Sequence, residues 1–324
     1  KLIGGIMTFI KYPEWAERHN FFHHSNPSMP DGYTLWNKCK VRADVNAAWK
    51  IVKKEIKGDI QKAQHIIDIN KNENPNMTSG VVVQEYCDDI LLNEIGPGDA
   101  YRNAVVKLQQ FEPLEWHDTE KEDAIIKHRT EPKYALKTYK GEPAYRKDAE
   151  GDFCELELVC KHALEGLQEA SDGINQLEGE INLFKALPGS ELQYNGRPDY
   201  HQRIELKTMW DQMAYSDSPK ANSLPKEPRF SHLTQIAGYW HLSGQLPTIV
   251  YANRNTYTVF KPSEDELRVA LDFLMEACSR RERLLKVASN TEELLRLCDP
   301  QWDHMFAWKD LHPEVLSEAK KIWR

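Results

Sequence analysis

Apolar residues recur at helical spacing in several stretches of the chain. Val45, Trp49, Val52, Ile56 and Ile60 fall on one helical face, and Lys50, Lys53, Lys54 and Lys57 lie outside it. Thr78 and Ser79 are N-cap types ahead of a run that predicts a helix through Leu92. Tyr101 to Gln110 predicts a short helix. Leu156, Val159, Cys160, Ala163 and Leu167 put an apolar stripe on a helix over Cys154 to Ala170, and Leu233, Ile236, Ala237 and Trp240 do the same over Ser231 to Ser243. Ser263 with Glu266 after Pro262 forms a capping box that opens a long helix to about Val287, and Asn290 with Glu293 opens another.

Other stretches alternate. Gly179 to Asp199 carries the turn Pro188-Gly189-Ser190 and predicts two strands joined as a hairpin, with Arg203 to Lys207 a third short strand. Thr248 to Ala252 and Tyr257 to Phe260 flank Asn253-Arg254-Asn255 and predict a closing hairpin. Residues 1 to 43 look irregular, and 111 to 150 look extended and hairpin-rich. The C-terminal segment holds Trp302, Phe306, Trp308 and Trp323, too aromatic for disorder, so it is expected to dock on the domain. Helices and strands interleave, so the expected class is α/β (α+β).

Composition narrows the function classes. The hydrophobic fraction is 40%, but nine Trp and thirteen Tyr supply large burial. No stretch is long and apolar enough to span a membrane. Leu2 to Ile10 is too short for a signal peptide, and the six cysteines are scattered with no Cys-x-x-Cys pair. A reducing cytoplasm is the expected compartment. His19, His23 and His24 have no ligand partners at suitable spacing and read as a surface or partly packed cluster. No Gly-rich phosphate loop of the Walker type occurs.

The candidate chemistry lies in Pro198-Asp199, a five-residue spacer, then Glu205-Leu206-Lys207. Alternation along a strand points Glu205 and Lys207 to one face and Leu206 to the other. A tight hairpin across the spacer would bring the two carboxylates together. Paired carboxylates suit a hard divalent cation, and a lysine beside them suits orientation of an attacking water. Gln235 and Tyr239, four apart, share one helical face, as do Gln84 and Asp88 on the earlier helix.

In order and spacing these residues resemble the motifs of the PD-(D/E)XK nuclease superfamily, and more narrowly of its RecB-like, λ-exonuclease-like branch. That branch carries Gly-x-x-x-His on a helix, then Asp, then Glu/Asp-x-Lys, then Gln-x-x-x-Tyr. Here the first motif is Gly80 to Gln84, with Gln where His is usual. The resemblance covers roughly residues 78 to 260. It implies a restriction-endonuclease-like αβββαβ core with a central mixed sheet flanked by helices. The implied divisions are a helical or irregular extension over 1–77, a nuclease core over 78–262 with an insertion at about 96–150, and a helical region over 263–324.

It also implies roles. Asp199, Glu205 and the Leu206 carbonyl would hold Mg²⁺ or Mn²⁺, Lys207 would activate water, and Gln235 and Tyr239 would support the site. Gln84 is the first-helix candidate, with Glu85 and Asp88 as competitors. Glu180, on the strand preceding the motif, is a further candidate carboxylate, with Glu178 behind it. Relatives with an iron–sulfur cluster carry three closely spaced cysteines, whereas only Cys278 and Cys298 follow the Gln-x-x-x-Tyr helix, so no iron–sulfur cluster is expected. The implied activity is hydrolysis of DNA phosphodiester bonds by an exonuclease of recombination, repair or replication, in the cytoplasm of a bacterial cell or a phage-infected host. A restriction-type endonuclease and a catalytically inert nucleic-acid-binding module on the same fold are the alternatives.

Net charge is −8, which argues against a protein that coats nucleic acid generally. The charge is uneven. Residues 121 to 147 hold eight Lys/Arg against four Asp/Glu, with Tyr134, Tyr139 and Tyr145 interleaved, a composition that can follow a phosphate backbone and stack bases. Residues 38 to 62 hold eight against three, and their lysines read as the solvated face of a helix whose apolar stripe is buried. Lys133, Lys137, Lys140 and Arg197 are the candidate DNA contacts. Linear or single-stranded DNA ends are the expected substrate, with a second copy of the chain or a recombination partner as protein contacts.

Overall fold

The computed structural model describes residues 30–32, 35, 75–110, 135–139, 142–145, 154–174, 177–190, 193–210, 223–304, 307–308 and 313–323. The helix expected from Val45, the His19, His23 and His24 group, Phe306, Lys133 and Lys140 lie outside the described residues. In chain order the elements are α1 Pro75–Leu91, α2 Pro97–Gln110, β1 Ala135–Tyr139, β2 Glu142–Tyr145, α3 Cys154–Ala170, β3 Leu183–Ala186, β4 Gln193–Gly196 and β5 Ile204–Thr208. Then follow α4 Phe230–Ser243, β6 Thr248–Ala252, β7 Tyr257–Phe260, α5 Glu264–Val287, α6 Thr291–Arg296 and α7 Pro313–Lys320. The chain is a mixed α and β protein. It divides into two compact units, one drawn from Lys71–Asn182 and Arg197–Leu267, the other from Lys1–Asn70, Leu183–Gly196 and Arg268–Arg324.

The first unit is built on a three-stranded mixed sheet. β5 runs parallel to β6, pairing Ile204 with Thr248 through Thr208 with Ala252, and β7 closes antiparallel on β6. Every residue of β6 is buried, so the strand is covered on both faces. Val250 and Ala252 look toward α3 and join Ile204, Leu206 and the inner faces of α1 and α3 in one core. The stripe Leu156, Val159, Cys160, Ala163 and Leu167 is buried as its spacing requires. Gly166 lets α3 come close: a Cβ there would meet Val250 Cγ1 at 2.6 Å and Tyr257 Cδ2 at 3.1 Å. On the other face Tyr251 stacks on His232 of α4, with ring centroids 5.6 Å apart.

α1 starts upstream of the expected caps. Pro75 occupies its first turn, where a missing N–H costs nothing, and Thr78 and Ser79 sit inside the helix. Glu94, with φ of 55°, turns the chain after α1. The β6–β7 turn is closed by Asn253 Oδ1, which accepts the N–H groups of Asn255 and Thr256 at 2.8 and 2.9 Å. β1 and β2 form a hairpin of their own inside the inserted segment. The capping box at α5 closes reciprocally, with Ser263 N–H to Glu266 Oε2 at 2.8 Å and Glu266 N–H to Ser263 Oγ at 3.3 Å.

In the second unit β3 and β4 form a separate two-stranded ladder, Leu183 opposite Gly196 through Ala186 opposite Gln193. Gly189 at φ of 77° makes the turn. Ser190 Oγ donates to Glu282 Oε2 on α5 at 2.6 Å. Arg280 and Arg281 both reach Asp31. Asn290 caps α6 by accepting the Glu293 N–H at 2.9 Å. Trp302, Trp308 and Trp323 cluster with centroids 4.4 to 5.9 Å apart. Trp308 and Trp323 each satisfy their indole N–H on a main-chain carbonyl, of Pro300 and Cys298 respectively. Among the described residues, Cys87, Cys160, Cys278 and Cys298 are buried free thiols, and no helix is long and apolar enough to cross a membrane.

Candidate functional site

The motif residues converge on the face of β5 that looks toward α4. Tyr200 and Ile204 exchange main-chain hydrogen bonds at 3.0 and 2.8 Å across a tight turn. His201 and Gln202 take left-handed φ values of 45° and 59° there. This turn occupies the free edge of β5 and carries Asp199 back beside the strand. Asp199 Oδ2 accepts the Leu206 N–H at 2.7 Å. Main-chain N–H and C=O of one strand residue face the same edge, so the Leu206 carbonyl also looks to the Asp199 side.

Glu205 and Lys207 point together toward α4. The Glu205 side chain is only 4% exposed. Its Oε1 accepts from Lys207 Nζ and, at 2.7 Å, from Gln235 Nε2. Gln235 Nε2 also donates to Tyr239 Oη at 2.7 Å, and Tyr239 Oη donates to the Arg197 carbonyl at 3.3 Å. The α4 pair thus fixes one oxygen of Glu205. The other, Oε2, is buried without a hydrogen-bond partner. The inner face of α4 is Thr234, Ile236, Ala237, Gly238 and Tyr239, turned from the expected stripe so that Tyr239 is buried and Leu233 and Trp240 are half-covered. The bonds of Gln235 and Tyr239 to β5 and Arg197 account for that rotation.

Burial, then the Glu205 charge, push the Asp199 carboxyl well above its usual range. Burial alone would depress Lys207. The Glu205 and Asp199 charges outweigh it, so the ammonium holds its proton more tightly than a free lysine.

The first-helix candidates separate. Gln84 Nε2 donates to Glu180 Oε1 at 3.2 Å, and Glu180 Oε2 pairs with Arg197 Nε at 3.1 Å. Gln84 therefore serves as a donor to a carboxylate, and the Glu180 charge contributes to raising Asp199. Asp88 is raised by burial, against a Tyr200 hydrogen bond, and its Oδ1 is buried without a partner. Glu85 is taken up by Lys107 of α2. Glu180 lies before β3 rather than on a strand, because Gln84 and Arg197 hold it in place of a ladder. Glu178 contributes its main-chain carbonyl to the His201 N–H at 2.8 Å. Arg197, expected to contact DNA, has its charge answered by Glu180. Lys137 falls on β1.

Three neighbours were not anticipated from the sequence. Tyr251 pairs in register with Lys207, His232 stacks on Tyr251, and the Arg229 N–H donates to Tyr251 Oη at 3.2 Å. Burial, with Lys207 and Arg229 nearby, lowers the His232 pKa to about 4. His232 was within reach of the pattern: it shares a face with Gln235 and Tyr239 at i, i+3 and i+7.

Among the described residues no group of three or more His, Cys, Asp or Glu side chains converges as a metal cage. The donor set fits a hard cation in a sparser way. Asp199, the orphaned Glu205 Oε2 and the Leu206 carbonyl are all oxygens, and Mg²⁺ characteristically takes one or two carboxylates and keeps several waters. Comparison with protein-family models, with curated proteins and with solved structures finds no match to this chain.

Proposed function

We propose that this chain is a metal-dependent deoxyribonuclease on a restriction-endonuclease-like core, acting as an exonuclease in DNA recombination, repair or replication. The observation that carries the proposal is the state of Glu205. A buried carboxylate oxygen without a partner is costly, about 1–3 kcal/mol or more, and such an atom calls for an ion or a water. Asp199, bonded to the same strand through the Leu206 N–H, is held well above its usual range by burial and by the Glu205 charge. After α1 and a segment carrying α2, β1, β2 and α3, the succession β3, β4, β5, α4, β6 follows the order expected of the finer fold, with β3 and β4 in a ladder of their own.

Asp199, Glu205 and the Leu206 carbonyl would hold Mg²⁺ or Mn²⁺. Bound there, the cation would acidify a water and neutralise charge on the phosphate. Gln235 and Tyr239 fix Glu205 Oε1 and so aim Oε2. Lys207 keeps its proton through both carboxylates, which suits it to orient a water or a phosphate oxygen.

The direct test is Mn²⁺ binding by electron paramagnetic resonance. Wild type should bind saturably. Glu205→Gln, of nearly the same shape but without the charge, should stay folded and lose that binding. Equal Mn²⁺ affinity in the two proteins would remove Glu205 from the site.

A further inference from the structure

Beside Lys207 runs a hydrogen-bonded chain that metal binding does not use. The Arg229 main-chain N–H donates to Tyr251 Oη at 3.2 Å, and Tyr251 Oη lies 2.7 Å from His232 Nδ1. The phenol that accepts this N–H has its own proton to give, and in the tautomer taken here Oη donates to Nδ1. A neutral imidazole that accepts at Nδ1 carries its proton at Nε2. That Nε2–H has no partner among the described residues and is not buried.

His232, Gln235 and Tyr239 form one row along α4. Gln235 is spent on Glu205 and Tyr239, and Tyr239 on the Arg197 carbonyl. His232 is the member of the row with a donor still to offer.

The surrounding charge says what would accept it. Lys207 is answered by Glu205. Arg229 is exposed, its guanidinium reaches Met209 Sδ at 3.7 Å, and no carboxylate among the described residues pairs with it. Arg229 is also the N-cap of α4, whose first turn holds no acidic residue, so the positive end of the helix dipole adds to the same field. A fixed neutral donor beside a guanidinium that no described carboxylate answers repels cations and suits an anion rich in acceptor oxygens.

We propose that His232 Nε2–H and the Arg229 guanidinium form a phosphate subsite beside the Asp199 and Glu205 carboxylates, gripping a strand phosphate next to the one cleaved. The identity of the strand rests on the nuclease reading. Phosphate binding itself does not, and it can be measured with no cleavage.

The experiment uses the full chain in EDTA. Long-range ¹H–¹⁵N spectra of the His232 ring should show the Nε2–H tautomer, and thymidine 5′-monophosphate should shift that ring saturably. Single-stranded DNA binding is then followed against salt. Arg229→Ala and His232→Gln should each weaken it about tenfold, the scale of one hydrogen bond to a charged group. Arg229→Ala should also flatten the salt slope by about 0.7, because one fewer phosphate is neutralised and one fewer counterion released. His232→Gln should leave the slope unchanged, because a neutral donor displaces none. The Nδ1–H tautomer, a ring unmoved at saturating nucleotide, or an unchanged slope in Arg229→Ala would overturn the subsite. If the nucleotide shifts His232 but Mg²⁺ and Mn²⁺ support no cleavage, the subsite stands and the nuclease reading falls. If DNA is cut while His232 stays unmoved, the reverse holds.

Discussion

Glu205 and His232 show what single side chains contribute. Glu205 was legible because a strand has a period of two: its neighbour Lys207 shares its face, and Leu206 enters the core. The spacer to Asp199 was legible as a tight turn, which the Tyr200–Ile204 bridge and the left-handed His201 and Gln202 now make. Tyr251 was not, because its place beside Lys207 depends on the parallel register of β5 and β6, a long-range pairing that no local pattern specifies. His232 yields a test in pH. Its folded pKa, about 4, lies below the ordinary 6.5, so the folded state resists the protonation that the unfolded chain accepts. Its contribution to stability is full above 6.5 and is lost as pH falls toward 4. Thermal melts of His232→Gln across that window should fall off less steeply than those of wild type. Parallel curves would show that His232 takes up no proton on unfolding.

Elements whose signals are local matched closely. α3 spans the residues its apolar stripe marks, β6 and β7 flank the expected turn, and α5 opens at its capping box. α1 did not, because Pro75 at its start outcompeted two good capping residues further on. The expected hairpin exists as β3–β4, but the free edge of β5 is closed by its own preceding turn. Packing between elements leaves a sharper trace at Gly166. Gly166→Val would drive a side chain into Val250 and Tyr257, where the helix lies tight on the sheet. The expected cost is about 1–3 kcal/mol, typical of overpacking, and it exceeds the gain from removing a helical glycine. Urea titration should show a lower midpoint with an unchanged slope. An unshifted midpoint would mean that α3 can ride away from β6 freely.

Over the whole molecule the charge balance is acidic, so the proposed binding of DNA would rest on local tracks rather than on the net field. The basic, tyrosine-bearing segment around β1 and β2 is the proposed track. Reversing Lys133, Lys137 and Lys140 together should weaken duplex binding and lower the salt slope by about 0.9 for each phosphate no longer neutralised. Binding with an unaltered slope would assign the segment to structure. The central claim is metal-dependent hydrolysis of DNA at Asp199, Glu205 and Lys207. It is tested most directly by incubating end-labelled linear and covalently closed circular DNA with wild type and Lys207→Ala, with Mg²⁺, with Mn²⁺ and with EDTA. Wild type should degrade the linear DNA only with a divalent cation and leave the circle intact. Lys207→Ala should still bind DNA but cut it about 10²–10³-fold more slowly, the range expected when a fixed donor to developing charge is removed. Near wild-type cutting by Lys207→Ala, or a folded wild type that binds DNA and cuts neither substrate with either metal, would contradict the account.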